Sequence, residues 1–212
     1  MTDYTVRIAT EPDEFEQIHA LNYRTFVDEV PQHSPNPERR LVDRFHDENT
    51  YVICKVGEVV VGMVCVRDQR PFSVDEKIGP FEEHLPPDVP APTRPCEIRL
   101  LAIEPGHRRG RVIFGLLSRL LRLGLERGYD FALMSGRPAN MALYRALGFR
   151  PFGPITGSPD APFQPMYATA ALFAMAQGRG RLIATLPTML ARGLEASTRR
   201  TRPAARRPRS DC

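Results

Sequence analysis

Residues 96–148 constrain the fold more than any other stretch, because they place an apolar strand, a basic turn and a long amphipathic helix in direct succession. From about Arg111 to Arg127 the apolar residues recur at three- and four-residue spacing, which predicts a helix with one buried face. Gly128 predicts the end of that helix, because glycine adopts a left-handed conformation at little cost. A helix that starts where a strand and a turn end directs free backbone N–H groups towards an anion.

The rest of the chain predicts further elements of an α/β domain. Glu11-Pro12-Asp13-Glu14 predicts the start of a helix, since proline and acids suit a first turn. Residues 38–45 predict a short helix. Gly62, within a predicted strand, indicates a bulge or a close backbone approach. The predicted strands outside the central unit lie at residues 4–9, 51–56, 59–67, 150–155 and 164–169, with one more inside it at about 130–134.

Residues 70–95 form a long insertion before the strand that begins at Cys96. Five prolines keep its second half extended and prevent a helix there. An ordered loop of this length beside a site often forms a lid or an acceptor wall. A surface insertion without fixed structure is the alternative.

Length and composition limit the class of protein. The 212 residues predict one domain at residues 1–170, a helical extension at 171–196 and a disordered Arg/Pro-rich tail at 197–212. No apolar run reaches the roughly 20 residues that span a bilayer. The first residues do not resemble a signal peptide, and the four cysteines lack metal-ligand spacing, so we expect a reduced, cytoplasmic protein without disulfides.

The net charge of +4 is concentrated at the C-terminus. Residues 199–212 contain six arginines and one aspartate, so they carry +5 and the rest of the chain carries −1. A nearly neutral body argues against specific nucleic-acid binding. The tail could contact an acidic carrier protein, and with the preceding helix it could contact a membrane surface weakly; the alternative is a tail that only solubilises.

Two motifs in the central unit resemble the GNAT N-acyltransferase superfamily. Ile103-Glu104-Pro105 and Arg108-Arg109-Gly110 resemble its aliphatic-x-Pro exit and its basic, glycine-containing turn. Tyr144-Arg-Ala-Leu-Gly148-Phe149 resembles the Tyr-x-x-x-Gly-Phe motif of its last third. The resemblance covers about residues 4–170. It implies an α/β, GNAT-like (acyl-CoA N-acyltransferase) fold: a mixed, mostly antiparallel central sheet, split into a V and flanked by helices, here with extra C-terminal helices.

A narrower resemblance is to the branch of autoinducer synthases and N-acyl amino acid synthases. It rests on Tyr23-Arg-Thr-Phe-Val-Asp-Glu29, Asp43-Arg-Phe-His-Asp47, Val60-Val61-Gly62 and Cys96-Glu97. The resemblance implies direct acyl transfer to a primary amine such as an amino acid. The cosubstrate would be acyl-CoA or acyl-phosphopantetheine on an acyl-carrier protein, with no permanently bound cofactor. The alternatives are an ordinary acetyl-CoA-dependent N-acetyltransferase and a catalytically silent GNAT-like binding module.

The resemblance also implies roles for individual residues. Backbone and side chains of the turn would bind the donor phosphate, which involves His107, Arg108, Arg109, Gly110, Arg111 and Val112. A backbone N–H of the preceding strand would stabilise the oxyanion, which involves Leu101, Ala102 and Ile103. The substrate residues of the narrower branch are matched by Arg24, Phe26 and Arg99.

Glu97 and Tyr144 are the candidate base and acid. Strand alternation puts Glu97 and Arg99 on one side, with Ile98 and Leu100 on the other. An acid desolvated in an apolar strand can act as a general base, and a structural Glu–Arg pair is the alternative. Tyr144 would return a proton to the leaving thiolate; the alternative is an interface tyrosine with a bonded hydroxyl. No metal site is predicted, since the histidines lack ligand spacing.

Overall fold

The structure, a computed structural model, describes residues 3–108, 110–159 and 161–170. Its helices are α1 (Pro12–Tyr23), α2 (Ser73–Ile78), α3 (Arg111–Arg127) and α4 (Met141–Ala146), and a π-helical turn (Arg24–Glu29) continues α1. Its strands are β1 (Thr5–Ile8), β2 (Thr50–Val56), β3 (Val59–Arg67), β4 (Pro95–Ile103), β5 (Phe131–Gly136), β6 (Arg150–Pro151), β7 (Thr156–Ser158) and β8 (Ala161–Thr169). The predicted extension and tail at residues 171–212 lie outside the described residues.

The strands form one sheet in the order β1-β2-β3-β4-β5-β8-β6, with β7 paired to β8. β4 and β5 are parallel, and the other described pairs are antiparallel. α3 packs on one face and α1 on the other, each over its own cluster of buried apolar residues. The predicted mixed, mostly antiparallel sheet flanked by helices is therefore confirmed.

α3 follows the predicted pattern closely. Ile113, Leu116 and Leu120 lie on its buried face against β2 and β3. Gly128 ends the helix with φ +67°, in the left-handed conformation that the sequence predicts. The helix therefore starts directly after the turn that leaves β4, which fixes its N-terminus next to the centre of the sheet.

β4 and β5 separate in the middle of the sheet. Their pairing covers only three positions and ends where Glu97 lies beside Leu133. β4 continues to Ile103 and β5 to Gly136, so beyond this point the two strands are the arms of a V. The backbone edge of β4 that faces the V has no strand partner among the described residues, which leaves its polar groups accessible to a ligand.

A bulge in β4 changes the side-chain pattern that alternation predicts. Leu100 has φ +54°, and the register between β3 and β4 shifts at this point. As a result Leu100 packs on the α1 side, beside Ala102, although alternation places it opposite Arg99. Leu101 packs on the α3 side. Such a strained conformation in a leucine is uncommon and is concentrated at functional sites.

The insertion is ordered, and the alternative without fixed structure is wrong. Phe72, Val74 and Phe81 are fully buried and pack with Phe131 and Tyr167. The short helix α2 was not predicted. The short helix predicted at residues 38–45 is absent: that segment is irregular and leads into a 3₁₀ turn at His46–Glu48.

Gly62 combines both features that the sequence indicates. The register between β2 and β3 shifts next to it, and a Cβ atom at this position would lie 2.7 Å from Val112 Cγ1. Ile103 and Leu116 would each lie at 3.3 Å. Gly62 therefore sets how closely α3 approaches the sheet.

We expect Gly62→Ala to destabilise the protein by about 1–3 kcal/mol, because the added methyl group meets a stiff β-branched side chain in a packed core. The matched control is Gly124→Ala within α3, where the new Cβ meets only an ordinary contact at 3.8 Å. The control should be neutral or stabilising by up to about 1 kcal/mol. Denaturant unfolding of both variants measures the difference, and equal midpoints would refute the close approach.

Candidate active site

A cavity of about 1310 Å³ opens at the V between β4 and β5. Its walls come from the π-helical turn, the insertion, α3, α4 and the ends of both strands. The predicted residues that line it are Phe26, Glu97, Arg99, Leu101, Gly110 and Tyr144. The volume exceeds the roughly 300–1,000 Å³ of an ordinary small-molecule pocket.

Glu97 lies at the base of the V with only 1% of its surface exposed. Its carboxylate accepts hydrogen bonds from the backbone N–H groups of Ser73 (2.9 Å) and Val74 (3.1 Å) and from the Ser73 hydroxyl (2.5 Å). Arg99 Nε lies 3.6 Å from the same carboxylate. The predicted Glu–Arg contact is present, and most acceptor positions of Glu97 are occupied.

Arg99 forms a second and stronger ion pair. Its guanidinium donates to both carboxylate oxygens of Asp43, at 2.7 and 3.0 Å. Burial disfavours ionisation of Asp43, but the bonds from Arg99 outweigh it and lower the pKa of that carboxyl. Arg99 also lies over the ring of Phe45, 4.7 Å from its centroid. These contacts fix the Arg99 side chain in the cavity wall.

The turn after β4 is stabilised by hydrogen bonds from one of its own side chains. The Arg108 guanidinium donates to the backbone carbonyl of Ile103 (2.8 Å) and to both oxygens of Glu29 (2.8 and 2.6 Å). Arg108 is therefore buried and committed to protein partners, so its side chain is not directed at a phosphate. His107 contacts the Tyr4 hydroxyl through Nδ1 (3.2 Å).

The start of α3 remains open to an anion. Gly110 precedes the helix with φ +76° and provides no side-chain cap. The first intrahelical bond runs from Phe114 N–H to the Gly110 carbonyl, so the N–H groups of Arg111, Val112 and Ile113 have no acceptor within the helix. The positive end of the helix dipole lies here as well. Arg109 is outside the described residues.

Tyr144 faces the cavity from α4. Its ring packs against Gly136 at the end of β5, where an added Cβ would come within 2.6 Å of the ring. Its hydroxyl lies 3.5 Å from Asn140 Nδ2, at the limit of a hydrogen bond. The hydroxyl is therefore positioned by packing of the ring.

The remaining predicted residues do not line the cavity: Arg24, Ala102, Ile103, His107, Arg108, Arg111 and Val112. Arg24 donates to the carboxylate of Glu104 beside the donor turn. Val112 is buried under the sheet.

Polar residues of the cavity wall that were absent from the predicted site set include Asp43, Ser73, Lys77 and Ser135. A signal for Ser73 was available, since Ser73-Val-Asp-Glu76 has the spacing of a helix start. Lys77 donates from Nζ to the Ser135 hydroxyl at 2.9 Å. Nothing in the local sequence indicates that contact, because Ser135 is distant in the chain.

The V, the cavity at its base and the open helix start identify a GNAT-like N-acyltransferase fold. The protein is an enzyme of the acyltransferase class. A family model for the N-acyl amino acid synthase FeeM matches residues 17–172. The chain belongs to this family. The match covers most of the described chain, including the insertion and both arms of the V.

Solved structures agree with this fold. FeeM, an N-acyl amino acid synthase from uncultured soil microbes, is similar with a TM-score of 0.63 at 15% identity, over 83% of this chain and 96% of its own. BjaI, a CoA-dependent acyl-homoserine lactone synthase, gives 0.67 at 17% identity, over 84% and 89%. The acyl-homoserine lactone synthase LasI gives 0.62 at 14% identity, over 80% and 91%. No curated protein sequence matches this chain significantly.

Among the described residues, no group of histidine, cysteine or acidic side chains could hold a metal ion. The helices assigned between residues 3 and 170 are all too short or too polar to cross a membrane.

We expect Glu97→Gln to destabilise the protein by about 1–3 kcal/mol, because an amide cannot accept all three hydrogen bonds and leaves buried donors of α2 unpaired. Amide hydrogen exchange at Ser73 and Val74 should accelerate in the same variant. Glu83→Gln, on the exposed surface of the same insertion, is the control and should change stability by less than about 0.5 kcal/mol. Unchanged exchange at both amides in Glu97→Gln would contradict the anchoring role.

Proposed function

We propose that the chain transfers a long acyl group from a thioester to the amine of an amino acid. The observation that carries this proposal is the large cavity that joins the base of the V to the apolar face of α3 and α4. Leu117, Leu121 and Leu147 line it, so an acyl chain of many methylenes has an apolar channel. An acetyl group would leave most of that volume unused.

The donor would lie along the open edge of β4. The thioester carbonyl would accept a hydrogen bond from a backbone N–H near Ala102, which stabilises the oxyanion that forms during attack. The phosphate of phosphopantetheine would bind the N–H groups of Arg111, Val112 and Ile113, which have no acceptor within the helix. The Arg108 side chain is committed to Glu29, so among the described turn residues the backbone and the exposed Arg111 side chain would hold the phosphate.

The proton of the attacking amine needs a route to a base. The Glu97 carboxylate is buried and surrounded by donors; the hydroxyl of Ser73 donates to it, and Ser73 also lines the cavity. We infer that the acceptor's ammonium gives one proton to Ser73 Oγ while the Ser73 proton moves to Glu97. The neutral amine nitrogen then bonds to the carbonyl carbon, the C–S bond breaks, and Tyr144 gives a proton to the thiolate. The second proton that leaves the nitrogen as the amide forms passes to solvent in the cavity, from which Tyr144 is reprotonated and to which Glu97 releases its proton.

The donor can be acyl-CoA or an acyl-carrier protein. A helix start whose first three N–H groups have no acceptor within the helix suits one phosphate, and a carrier protein presents a single phosphate on its pantetheine arm. Three free, buried cysteines are consistent with a reducing, cytoplasmic location, which remains a proposal. Contacts of the C-terminal region with a carrier protein or a membrane are likewise proposals.

A donor screen tests the acyl specificity. Acetyl-CoA, long-chain acyl-CoA and long-chain acyl-carrier protein are each incubated with mixed amino acids, and products are identified by mass spectrometry. We expect N-acyl amino acids from long-chain donors and little product from acetyl-CoA, since each buried methylene contributes about 0.8 kcal/mol. Product from acetyl-CoA alone would support an ordinary N-acetyltransferase instead, and no product from any donor would refute the acyltransferase function.

Two conservative variants test the proton route. Tyr144→Phe keeps the ring against Gly136 and should lower kcat about a hundredfold, the lower end of general-acid effects, because a thiolate is a weak base. Ser73→Ala keeps the backbone bond to Glu97 and should lower kcat by a similar factor while leaving binding of the donor unchanged. Glu83→Gln, an exposed position that does not line the cavity, is the control. Full activity in Ser73→Ala would exclude the serine relay.

A further inference from the structure

Lys77 places a positive charge on the β5 arm of the V. Its ammonium donates to the Ser135 hydroxyl at 2.9 Å, and both residues line the cavity. The parallel register ends where Glu97 lies beside Leu133. Arg99 and Ser135 each follow two residues later, so they occupy equivalent positions on the two arms and face the same side of the sheet. The ammonium therefore lies across the V from Arg99.

Two cations near Lys77 are paired with carboxylates. Arg99 binds Asp43, and Arg44 binds Glu76. Lys77 has no carboxylate within 4.0 Å among residues 3–108, 110–159 and 161–170. Besides Ser135 it contacts the ring of Phe163, whose centroid is 5.3 Å from Nζ. An aromatic face and one hydroxyl leave an ammonium able to accept an anion.

The environment of Lys77 destabilises the charged form of its side chain. It is accessible to solvent in the cavity, yet the protein walls surround it on several sides. Burial lowers the pKa of its ammonium, the nearby charges of Arg99 and Arg44 lower it further, and the charge of Glu97 opposes the shift. A bound carboxylate would remove this penalty, so the site favours an anionic ligand over a neutral one.

An anion bound at Lys77 would belong to the amine substrate that accepts the acyl group, and not to the acyl donor. α3, whose N-terminus would hold the donor phosphate, packs on the face of the sheet that Ile98 and Ile103 cover. Glu97 and the insertion lie at the opposite face, and α2 carries both Ser73 and Lys77. These two residues are four positions apart, so they lie one helical turn apart on the same side of α2.

Resting on the proposed function, we propose that Lys77 and Ser135 bind the carboxylate of the acceptor amino acid. Ser73 and Lys77 extend from successive turns of α2, so one amino acid can contact Ser73 through its amine and Lys77 through its carboxylate. The amine then lies at the Ser73 hydroxyl while the carboxylate lies at the ammonium. Amines without a carboxylate lose this second contact.

The test compares amino acids with their carboxamides in the wild type, Lys77→Met and Lys77→Arg. Glycine, leucine and phenylalanine are paired with their amides, and kcat/KM is measured with a long-chain donor. The wild type should prefer the free acids by about ten- to a hundredfold, as expected for a hydrogen bond to a charged group. Lys77→Met should lose that preference by becoming slower on the acids only, and Lys77→Arg should restore part of it.

A second readout uses the fact that the chain contains only two lysines. After reductive ¹³C-methylation, Lys55, which is bound by Glu14 and Glu58, is an internal reference. The Lys77 resonance should shift when a free amino acid is added with CoA, and it should not shift with the amide. Equal turnover of acid and amide by the wild type, or an acid preference that persists in Lys77→Met, would overturn this inference alone. A wild type that acylates no amine would overturn the proposed function and this inference together.

Discussion

The hydrogen bonds between the Glu97 carboxylate and the start of α2 hold the two halves of the site together. Glu97 belongs to β4 at the point where the sheet separates, and α2 belongs to the insertion that covers one arm. A buried carboxylate is costly unless it is paired, and here two backbone N–H groups and a hydroxyl provide that pairing. One anion therefore fixes the insertion against the sheet and places Ser73 and Lys77 at the cavity.

The parts of this fold that depend on local pattern were predictable, and the parts that depend on distant contacts were not. α3 is specified by its own periodicity and by Gly128, so its limits follow from the sequence. α2 has only six residues, and it is stabilised by Asp75, which accepts from Phe72 N–H, and by Glu97, 24 residues away from Ser73. Six residues are too few for a periodic pattern, so the local sequence alone did not predict α2, and the contact with Glu97 stabilises it.

The bulge at Leu100 shows the same limit within a strand. Alternation predicts Glu97 and Arg99 on one side correctly, and it fails one residue later because the backbone enters a left-handed conformation. Leucine gives no signal for that conformation, which glycine or asparagine would have given. The bulge lets both Arg99 and Leu100 face the α1 side, so the acceptor end of the cavity combines an ion pair with an apolar wall.

Under the proposed function, the apolar channel would contribute more to donor affinity than the helix dipole does. Arg108, within the donor turn, is paired with Glu29, and Arg24 beside the turn is paired with Glu104. A phosphate at the start of α3 would meet backbone N–H groups and the exposed Arg111, and the helix dipole contributes about 0.3–1 kcal/mol where it is exposed to solvent. Ten methylenes buried in the apolar channel contribute roughly 8 kcal/mol at about 0.8 kcal/mol each. On these magnitudes the proposed acyl channel outweighs the helix dipole, so the length of the acyl chain would decide which donor binds, whichever carrier presents the thioester.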